Sequence, residues 1–367
     1  MLIATPPMTS TLALQLSELD PLRRQLGDRA DTAGPWLGAL RRQMRASSAE
    51  SSIEIEGFHV PQEERIALAS GDETPDPTDD DRMALSCYAR AMDHVGVMAG
   101  DPVFRWLDRV ILDLHFDACY FQRDRDPGQY RQRGIEVTSP SGGPPAYVGP
   151  PRDGVSQLMN EVVDWLEHGN LDAHVIARAA MAHLHVVSVH PFRDGNGRIA
   201  RIVQSLVLAR EGMLAPELGS IEEYLSRNTD AYYATLQEVQ GGSYQPQRDA
   251  SAWVEFCVQA HIAQARRRIE QIARAGVRWA YLENLVERRG WPDRVVIALE
   301  QSLSQGLDRG SYAAEADVSA PTASNDFRRL LDAGLVDQRG RGRTTRYVAS
   351  ETLRDEVRQL NANEAAP

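Results

Sequence analysis

A Gly-Asn-Gly tripeptide, Gly195 to Gly197, lies between two long runs whose apolar residues recur with helical spacing. The first run is Leu171–Val189, and the second continues to Leu208. Glycine adopts backbone angles that other residues avoid, so the tripeptide predicts a sharp turn between two helices. The N–H groups of such a turn can converge on an anion, and the following helix N-terminus favours negative charge. The stretch therefore predicts two helices joined by an anion-binding turn.

Residues on either side of the turn extend this prediction to phosphate chemistry. His190 stands just before the turn and is a possible base, and Asp194 is a hard oxygen ligand that suits Mg²⁺. Arg198 and Arg201 are three residues apart, so both lie on one face of the next helix. Together they predict a nucleotide phosphate site with a base at its edge. A glycine-rich loop with surface arginines is the structural alternative.

The twelve residues from His190 to Arg201 read His-Pro-Phe-Arg-Asp-Gly-Asn-Gly-Arg-Ile-Ala-Arg. They resemble the signature of the Fic family, His-Pro-Phe-x-(Asp/Glu)-Gly-Asn-Gly-Arg-x-x-Arg, at every specified position. The resemblance implies a mainly α fold with a Fic helical core. It also implies transfer of a nucleotide monophosphate, usually AMP from ATP, onto a protein hydroxyl.

The resemblance further implies a role for each signature residue. His190 would act as general base on the target hydroxyl, and Mg²⁺ on Asp194 would bridge the α- and β-phosphates. Arg198 would contact the α/β region, and Arg201 the γ-phosphate. The predicted nucleotide-binding residues of the signature are Gly195, Asn196, Gly197, Arg198 and Arg201.

A second motif lies far upstream of the signature. Ser52 to Gly57 match the pattern (Ser/Thr)-x-x-x-Glu-(Gly/Asn) of the inhibitory helix that Fic proteins often carry. The resemblance implies that the Glu of this pattern, Glu56, pairs with Arg201 and competes with the γ-phosphate. Its position fits the subgroup whose inhibitory helix precedes the core. A capped helix end with solvated glutamates is the alternative.

Helical periodicity breaks between Pro127 and Pro151. Two short alternating runs around a Gly/Pro turn predict a β-hairpin over about 135–148. In the Fic family a hairpin here, the flap, lies over the active site and takes the target's backbone as an added strand. The resemblance therefore implies a target protein docked at this hairpin. An isolated surface hairpin is the alternative.

Four further side chains near the signature are assigned by resemblance or by spacing. The family has a similar Tyr-Tyr segment that lines the base pocket, so Tyr232 and Tyr233 are predicted to bind nucleotide; an aromatic pair packing a helix is the alternative. The spacing of His183, His185 and His190 does not place all three on one helical face. The first two are therefore expected to be packing residues.

The last part of the chain predicts a separate module. Three helices and a basic two-stranded tip resemble a winged helix-turn-helix. Contact with DNA through 292–350 needs such a local basic patch, although Asp326 and Asp332 dilute the charge of the third helix. A protein-docking or dimer module is the alternative. The helices are predicted at Arg294–Leu303, Ser311–Ala316 and Pro321–Ala333, and the possible DNA contacts are Arg328, Arg329, Arg341 and Arg343.

The chain of 367 residues can hold two or three domains, and we expect four segments. They are an N-terminal helical region with the inhibitory helix (1–80), the Fic core (81–265), a helical linker (266–291) and the winged helix-turn-helix (292–367). Trp253–Glu287 is expected to be mostly helical, and it runs from the predicted Fic core into the predicted linker. Its Arg266–Arg268 triplet is expected to be a solvated face.

Composition excludes several classes of function. All 40 basic residues are Arg, so P-loop, Schiff-base and kinase lysines are impossible; a GC-rich genome also produces this bias. The net charge of −12 argues against nucleic-acid binding by the whole surface but permits a local patch. The three cysteines are widely spaced, and there is no run of 18 apolar residues. Met1 to Met8 lack the basic region and the apolar core that a signal peptide is expected to have. We expect a cytoplasmic bacterial protein.

The sequence thus favours a self-inhibited protein adenylyltransferase that uses ATP and Mg²⁺ and modifies a target protein and itself. One alternative is a hydrolase that removes AMP at the same site. Another is a DNA-binding regulator whose Fic core senses nucleotides. A phosphotransfer branch of the family lacks the second glycine of the turn, so Gly197 argues against it. A homodimer is left open.

Overall fold

The computed structural model describes residues 1–138, 143–211, 215–304, 306–340, 342 and 345–364. Helices dominate these residues, so the predicted mainly α fold is confirmed. The helices are α1 (Ser10–Asp31), α2 (Leu37–Glu54), α3 (Arg65–Ser70), α4 (Asp80–Gly100), α5 (Asp108–Cys119), α6 (Val155–His168), α7 (Val175–Val189), α8 (Asn196–Arg210), α9 (Pro216–Gly219), α10 (Glu222–Arg227), α11 (Thr229–Gln240), α12 (Ser251–Arg288), α13 (Val295–Ser304), α14 (Arg309–Glu315), α15 (Ala320–Asp332) and α16 (Glu351–Glu364). The strands are β1 (Glu136–Val137), β2 (Tyr147–Val148), β3 (Val336–Arg339) and β4 (Arg346–Ala349).

By mutual contact the chain divides into two compact units. Most residues of the predicted N-terminal region lie in the same unit as those of the predicted Fic core, but 28–43 and 61–66 belong to the other unit. The change of unit near the end of the predicted core occurs inside α12. The three boundaries between the four predicted segments stay a prediction. The first unit is Met1–Gly27, Met44–Val60 and Ala67–Arg268, and the second is Asp28–Gln43, Pro61–Ile66 and Ile269–Pro367.

The core of the first unit is built around α7. Every residue from Ile176 to Val189 is buried, because α7 has almost no polar face to turn to solvent. α8 packs along it, and Trp253 of α12 donates its indole N–H to the carbonyl of Ala180 at 2.7 Å. His183 and His185 are 0% and 1% exposed, so the prediction that they are packing residues is confirmed.

The expected solvated face at Arg266–Arg268 is wrong for its last member. Arg268 is 0% exposed, and its Nη2 lies 2.7 Å from Glu223 Oε1. Its Nη2 also donates to the Ser48 hydroxyl at 3.2 Å. A guanidinium can be buried where an opposite charge and hydrogen bonds compensate its desolvation. Glu223 and Ser48 are distant from Arg268 in the sequence, so the helical pattern around Arg268 could not predict its burial.

The predicted hairpin is present as β1 and β2, which pair antiparallel with Val137 opposite Tyr147. Its tip, 139–142, lies outside the described residues. The other edge of β2 is occupied, because Val148 N–H donates to Gly242 O at 2.9 Å and Tyr244 N–H donates to Val148 O at 3.2 Å. Among the described residues no strand pairs with the outer edge of β1.

In the second unit α13, α14 and α15 are followed by the antiparallel pair β3–β4, in the predicted order. Phe327 of α15 stacks on Tyr347 of β4 with ring centroids 3.9 Å apart. Asp326 is 0% exposed and accepts from Arg294 at 2.8 Å and from the Tyr312 hydroxyl at 3.0 Å. Asp326 Oδ1 also lies 3.2 Å from Arg329 Nη1, so this buried acid still pairs with one of the exposed cations of α15.

Arg328 and Arg329 are exposed on α15. Each bonds within its own helix, Arg328 to Asn325 and Arg329 to Asp326. Arg341 and Arg343 lie outside the described residues. Within the part of the chain that is described, no helix combines the length and the apolar character that crossing a membrane requires.

Candidate active site

The turn between α7 and α8 is shaped by two residues with positive φ. His190 ends α7 with a φ of 49°, and Gly195 begins α8 with a φ of 76°. A side chain at Gly195 would be strained in this conformation, and its Cβ would collide with the sulfur of Cys119. Glycine at this position is therefore required by both backbone angle and space.

Asn196 stabilises the turn rather than pointing its amide at a ligand. Its Oδ1 accepts from the N–H of Phe192 and its Nδ2 donates to the carbonyl of Phe192, both at 2.9 Å. Both polar atoms of the side chain therefore bond to the main chain of the turn. What Asn196 can still offer a phosphate is its own N–H, at the helix end where N–H groups have no carbonyl acceptor in the helix.

The ring of His190 has a defined tautomer. Its Nδ1 lies 3.1 Å from the carbonyl oxygen of Val187, which can only accept, so Nδ1 carries the proton and Nε2 keeps its lone pair. Burial lowers the pKa of His190, and the cation of Arg131 lowers it further. The hydrogen bond to Val187 and the carboxylates of Glu56 and Asp194 act in the opposite direction. A neutral imidazole with a free Nε2 can accept a proton.

Two side chains from α5 and the segment after it fix Asp194. His115 Nδ1 accepts from Gly128 N–H at 2.8 Å, so its Nε2 donates to the main-chain carbonyl of Asp194 at 3.0 Å. Burial lowers the pKa of His115 to about 4, which keeps this ring neutral. Gln122 Nε2 donates to Asp194 Oδ2 at 2.9 Å. The turn therefore has a rigid support that does not belong to the signature.

The side chain of Asp194 is 38% exposed, so its oxygens are open to a ligand. Among the described residues no group of three or more His, Cys, Asp or Glu side chains converges as a metal site. A single carboxylate fits Mg²⁺ only where the nucleotide supplies other oxygens, and this is the usual way that Mg²⁺ is bound beside phosphates.

Arg198 contacts neutral groups and one carboxylate, since its Nη2 lies 3.5 Å from Asp194 Oδ1. It is 1% exposed and donates to Gln122 Oε1 at 2.7 Å and to Ala118 O at 3.4 Å. Its guanidinium carbon lies 5.6 Å from the ring centroids of both Phe58 and Phe121, within the range of cation–π attraction. Phe58 follows the predicted inhibitory motif, so this segment covers Arg198 as well.

Arg201 makes the predicted contact with Glu56. Its Nη2 donates to Glu56 Oε1 at 2.7 Å and to Ser52 O at 2.9 Å, and its Nε donates to the Ser52 hydroxyl at 2.7 Å. Burial opposes the charge of Arg201, but Glu56 together with Tyr232 and Tyr88 more than offsets this and holds the pKa of Arg201 above its ordinary value. A Cβ on Gly197 would collide with Glu56 Oε1, so the carboxylate also lies against the turn.

The end of α2 explains the spacing of the upstream motif. Gly57 has a φ of 91°, and its N–H donates to Glu54 O at 3.0 Å. Phe58 N–H donates to Ile53 O at 3.2 Å. This pair of bonds is a Schellman motif, in which a glycine with positive φ ends the helix. Glu56 is thereby fixed at the last position before the glycine, with Ser52 one turn earlier.

The two predicted pocket tyrosines lie in different environments. Tyr232 is 1% exposed, and its hydroxyl lies 3.1 Å from His183 Nε2, so the structure gives it a packing contact in the core. Tyr233 is 46% exposed and donates from its hydroxyl to Ile55 O at 3.3 Å. Only Tyr233 has a ring face available to a base, and nucleotide binding by either tyrosine stays a prediction.

Sequence reasoning did not identify the residues that support the site from a distance. These contacts join residues about 60 to 140 positions apart, which no helical or strand period connects. The one local signal in the sequence was the break in helical periodicity at Pro127, which marks the segment that contains Arg131. The residues are His115, Gln122, Arg131 and Phe58.

Known proteins resemble this chain in sequence and in fold. The model of the Fic/DOC family matches residues 106–208. Protein adenylyltransferase fic-1 of Caenorhabditis elegans is 33% identical over 124 residues, which are 33% of this chain and 23% of that protein. A uridine 5'-monophosphate transferase of Xanthomonas campestris pv. campestris (strain 8004) is 32% identical over 148 residues, 38% of this chain and 27% of that protein.

The chain thus spans about a quarter of the length of these curated relatives. Among solved structures, a Fic family protein from Desulfovibrio desulfuricans G20 superposes with a TM-score of 0.59 at 20% identity, covering 95% of this chain and 98% of that one. Fic-1 of C. elegans superposes with a TM-score of 0.54 at 22% identity, covering 71% and 73%. These likenesses show the fold. Residues 106–208 of this chain are therefore a Fic domain of the Fic/DOC family.

Proposed function

We propose that the chain transfers AMP from ATP to a hydroxyl of a target protein and of itself, and that Glu56 restrains this reaction. The observation that carries the proposal is the free Nε2 of His190 beside the N-terminal amides of α8. These two features supply a base for a hydroxyl and a cradle for a phosphate. The named adenylyltransferases among the relatives support the same reaction.

In the proposed reaction the target oxygen attacks the α-phosphorus and forms a new P–O bond. The bond to the bridging α–β oxygen breaks, and pyrophosphate leaves. The hydroxyl proton passes to His190 Nε2. Asp194 would hold Mg²⁺, which neutralises phosphate charge when it is bound. The N–H groups of the turn would bind the α-phosphate, while Arg198 and Arg201 would orient the leaving group.

The restraint follows from competition for Arg201. A γ-phosphate and the Glu56 carboxylate both use charge-assisted hydrogen bonds, and the same Nη2 cannot point fully at both. With Glu56 in place, ATP would lie with its phosphates displaced and its α-phosphorus off the line of attack. A displacement of about 1 Å can cost about 10²-fold in rate.

The target is proposed to dock along β1. The far edge of β2 already bonds to 242–244, whereas the outer edge of β1 keeps its main-chain groups for an added strand within the described residues. The hairpin lies close to the base, because a Cβ placed on Gly149, the residue just after β2, would be 3.7 Å from His190 Cβ. A target strand on β1 would therefore run near His190.

The experiment is incubation of the Glu56→Gly protein with α-labelled ATP or α-labelled UTP, with and without a cell extract. Label from ATP on protein supports the proposal. Label from UTP alone would replace adenylyl transfer by uridylyl transfer, as named for one relative. No label from either nucleotide would contradict nucleotidyl transfer.

We propose DNA contact by α15 as a second function. The observation in its favour is that Arg328 and Arg329 are neighbouring exposed cations on that helix, and that Arg328 has no acidic partner among the described residues. Phosphate contacts of this kind weaken steeply as salt rises. A gel shift with the full chain should show binding at low salt, and Arg328→Ala with Arg329→Ala should reduce it. No shift at low salt would leave protein docking as the role of this module.

A further inference from the structure

Arg131 is a buried cation whose side chain has no carboxylate partner among the described residues. It is 6% exposed, and its guanidinium donates only to main-chain carbonyls. Nε donates to His190 O at 2.8 Å, Nη1 to Arg133 O at 2.7 Å and Nη2 to Pro150 O at 2.6 Å. Burying a charge is costly, so a buried guanidinium that contacts only carbonyls needs a reason beyond ion pairing.

The three carbonyls belong to two parts of the site. Arg133 lies just before β1 and Pro150 just after β2, so two of the bonds hold the two legs of the hairpin. The third holds the main chain of His190, the residue with positive φ whose ring is the proposed base. The N–H of Arg131 adds a fourth bond, to Pro191 O at 2.9 Å. One side chain therefore connects the base to the hairpin.

We propose that Arg131 is a positioning residue that sets the distance between the base and the target hydroxyl presented at the hairpin. The inference rests on the proposed function, since it assigns a hydroxyl to that hairpin. The planar fork of arginine can reach three carbonyls at fixed angles, whereas the single ammonium of lysine cannot. Fixing reactants in this way is worth large factors in rate.

The space around this fork is kept by Gly149. A Cβ at Gly149 would lie 2.7 Å from Ile135 Cγ2 and 3.3 Å from Arg131 Nη2. Its φ is not positive, so glycine is required here for room and not for backbone angle. Gly149→Ala is therefore a second way to disturb the same connection while Arg131 and its charge remain.

The charge of Arg131 gives a readout that a purely structural arginine lacks. The groups that act on His190 are Arg131, Glu56 and Asp194, and the Tyr147 ring lies 6.4 Å away. The nearby cation lowers the pKa of His190, so its removal raises that pKa. Because a base must be neutral to act, the acid limb of the rate profile would then move to higher pH.

The test compares Arg131→Lys and Arg131→Gln in the Glu56→Gly protein, with Arg178→Lys and Arg178→Gln as matched controls. Arg178 is another buried arginine, 5% exposed, that bonds Leu166 O and Glu211 away from the site. The readouts are self-labelling rate at saturating ATP, ATP affinity, the pH profile, and the His190 pKa by NMR in the nucleotide-free protein.

We expect both Arg131 variants to lose about 10²-fold in labelling rate with unchanged ATP affinity. The acid limb should stay in place for Arg131→Lys and move to higher pH for Arg131→Gln. Gly149→Ala should lose rate with no shift of the limb, and it serves where Arg131→Gln does not fold. Arg178 variants should stay within a few-fold of their parent.

Rates of the Arg131 variants equal to those of the Arg178 variants would overturn the proposal. If the Glu56→Gly parent incorporates no label, the proposed adenylyl transfer is contradicted. The NMR titration of His190 then tests the role of Arg131 without reference to activity. A raised His190 pKa in Arg131→Gln but not in Arg178→Gln would support the link between Arg131 and His190. An unchanged pKa would overturn it.

Discussion

The C-terminal end of α2 and the N-terminal end of α8 meet at the site, and their main-chain groups are satisfied in opposite ways. The last carbonyls of α2 are satisfied by its own chain, through the N–H groups of Gly57 and Phe58. The first N–H groups of α8 have no carbonyl acceptor in their helix. The end of α2 therefore offers a ligand no main-chain donors, whereas α8 contributes main-chain donors and a positive dipole end.

This difference separates restraint from chemistry. The C-terminal end of α2, which we call the closed end, holds Glu56 against Arg201, and a phosphate could replace this contact. The N-terminal end of α8, which we call the open end, lies beside His190 and holds the groups that would bind and transfer a phosphate. Changes at the open end should lower the rate of transfer, and changes at the closed end should raise it.

The largest expected effect comes from the open end. His190→Ala in the Glu56→Gly protein should lower labelling by about 10²–10⁴-fold, since it removes the base. ATP affinity should persist, because the phosphates contact the turn and the arginines. Labelling rate and calorimetric ATP binding measure the two effects. His168→Ala, at a side chain 72% exposed, is the control. Equal rates for His190→Ala and its parent would remove the base from His190.

The next effect has the opposite sign. Glu56→Gly should raise self-labelling and target labelling by about 10²-fold, because Arg201 becomes free for the γ-phosphate. Label incorporation over time measures it. An unchanged or lower rate would mean that α2 does not inhibit or that Glu56 serves hydrolysis. Addition of premodified target separates these two: loss of AMP removal in the variant would point to the hydrolase.

A smaller rise should follow from loosening the closed end. Ala at position 57 would have room but would be strained by the φ of 91°. That strain is about 1–2 kcal/mol, so Gly57→Ala should raise labelling by roughly fivefold. Gly71→Ala is a matched control, since Gly71 ends α3 with a φ of 76° and the same bonding pattern. Equal labelling by both variants would show that the end of α2 does not set the restraint.

The smallest effect is a shift with pH. Burial lowers the pKa of His190, so the rate should fall only below the ordinary histidine range, as the base becomes protonated. Glu56 raises that pKa, so Glu56→Gln should move the fall to still lower pH. Initial labelling rates across the acidic range measure both. A fall centred above the ordinary histidine value would contradict the buried neutral ring.

The sequence predicts the parts of the fold that depend on local chemistry. The helices on either side of Gly195 and the hairpin follow from residue type and spacing. The pairing of Glu56 with Arg201 came from resemblance to a motif. Neither propensity nor periodicity carries that information.

What the sequence did not predict depends on tertiary contacts. The Asn196 amide turned to the main chain of Phe192, because the turn needed both its donor and its acceptor. The inward face of α2 carries Ser48 and Ser52, which read as polar surface in a hydropathy pattern. They are buried because Arg268 and Arg201 bond to them from other helices.

The most direct test of the account is a double-mutant cycle between the two helix ends. Labelling rates are measured for the parent, Glu56→Gly, Arg201→Ala and the double variant, with ATP at saturation. The account predicts a rise of about 10²-fold on Glu56→Gly when Arg201 is present and no rise when it is absent. An equal rise in both backgrounds would show that Glu56 acts through something other than Arg201.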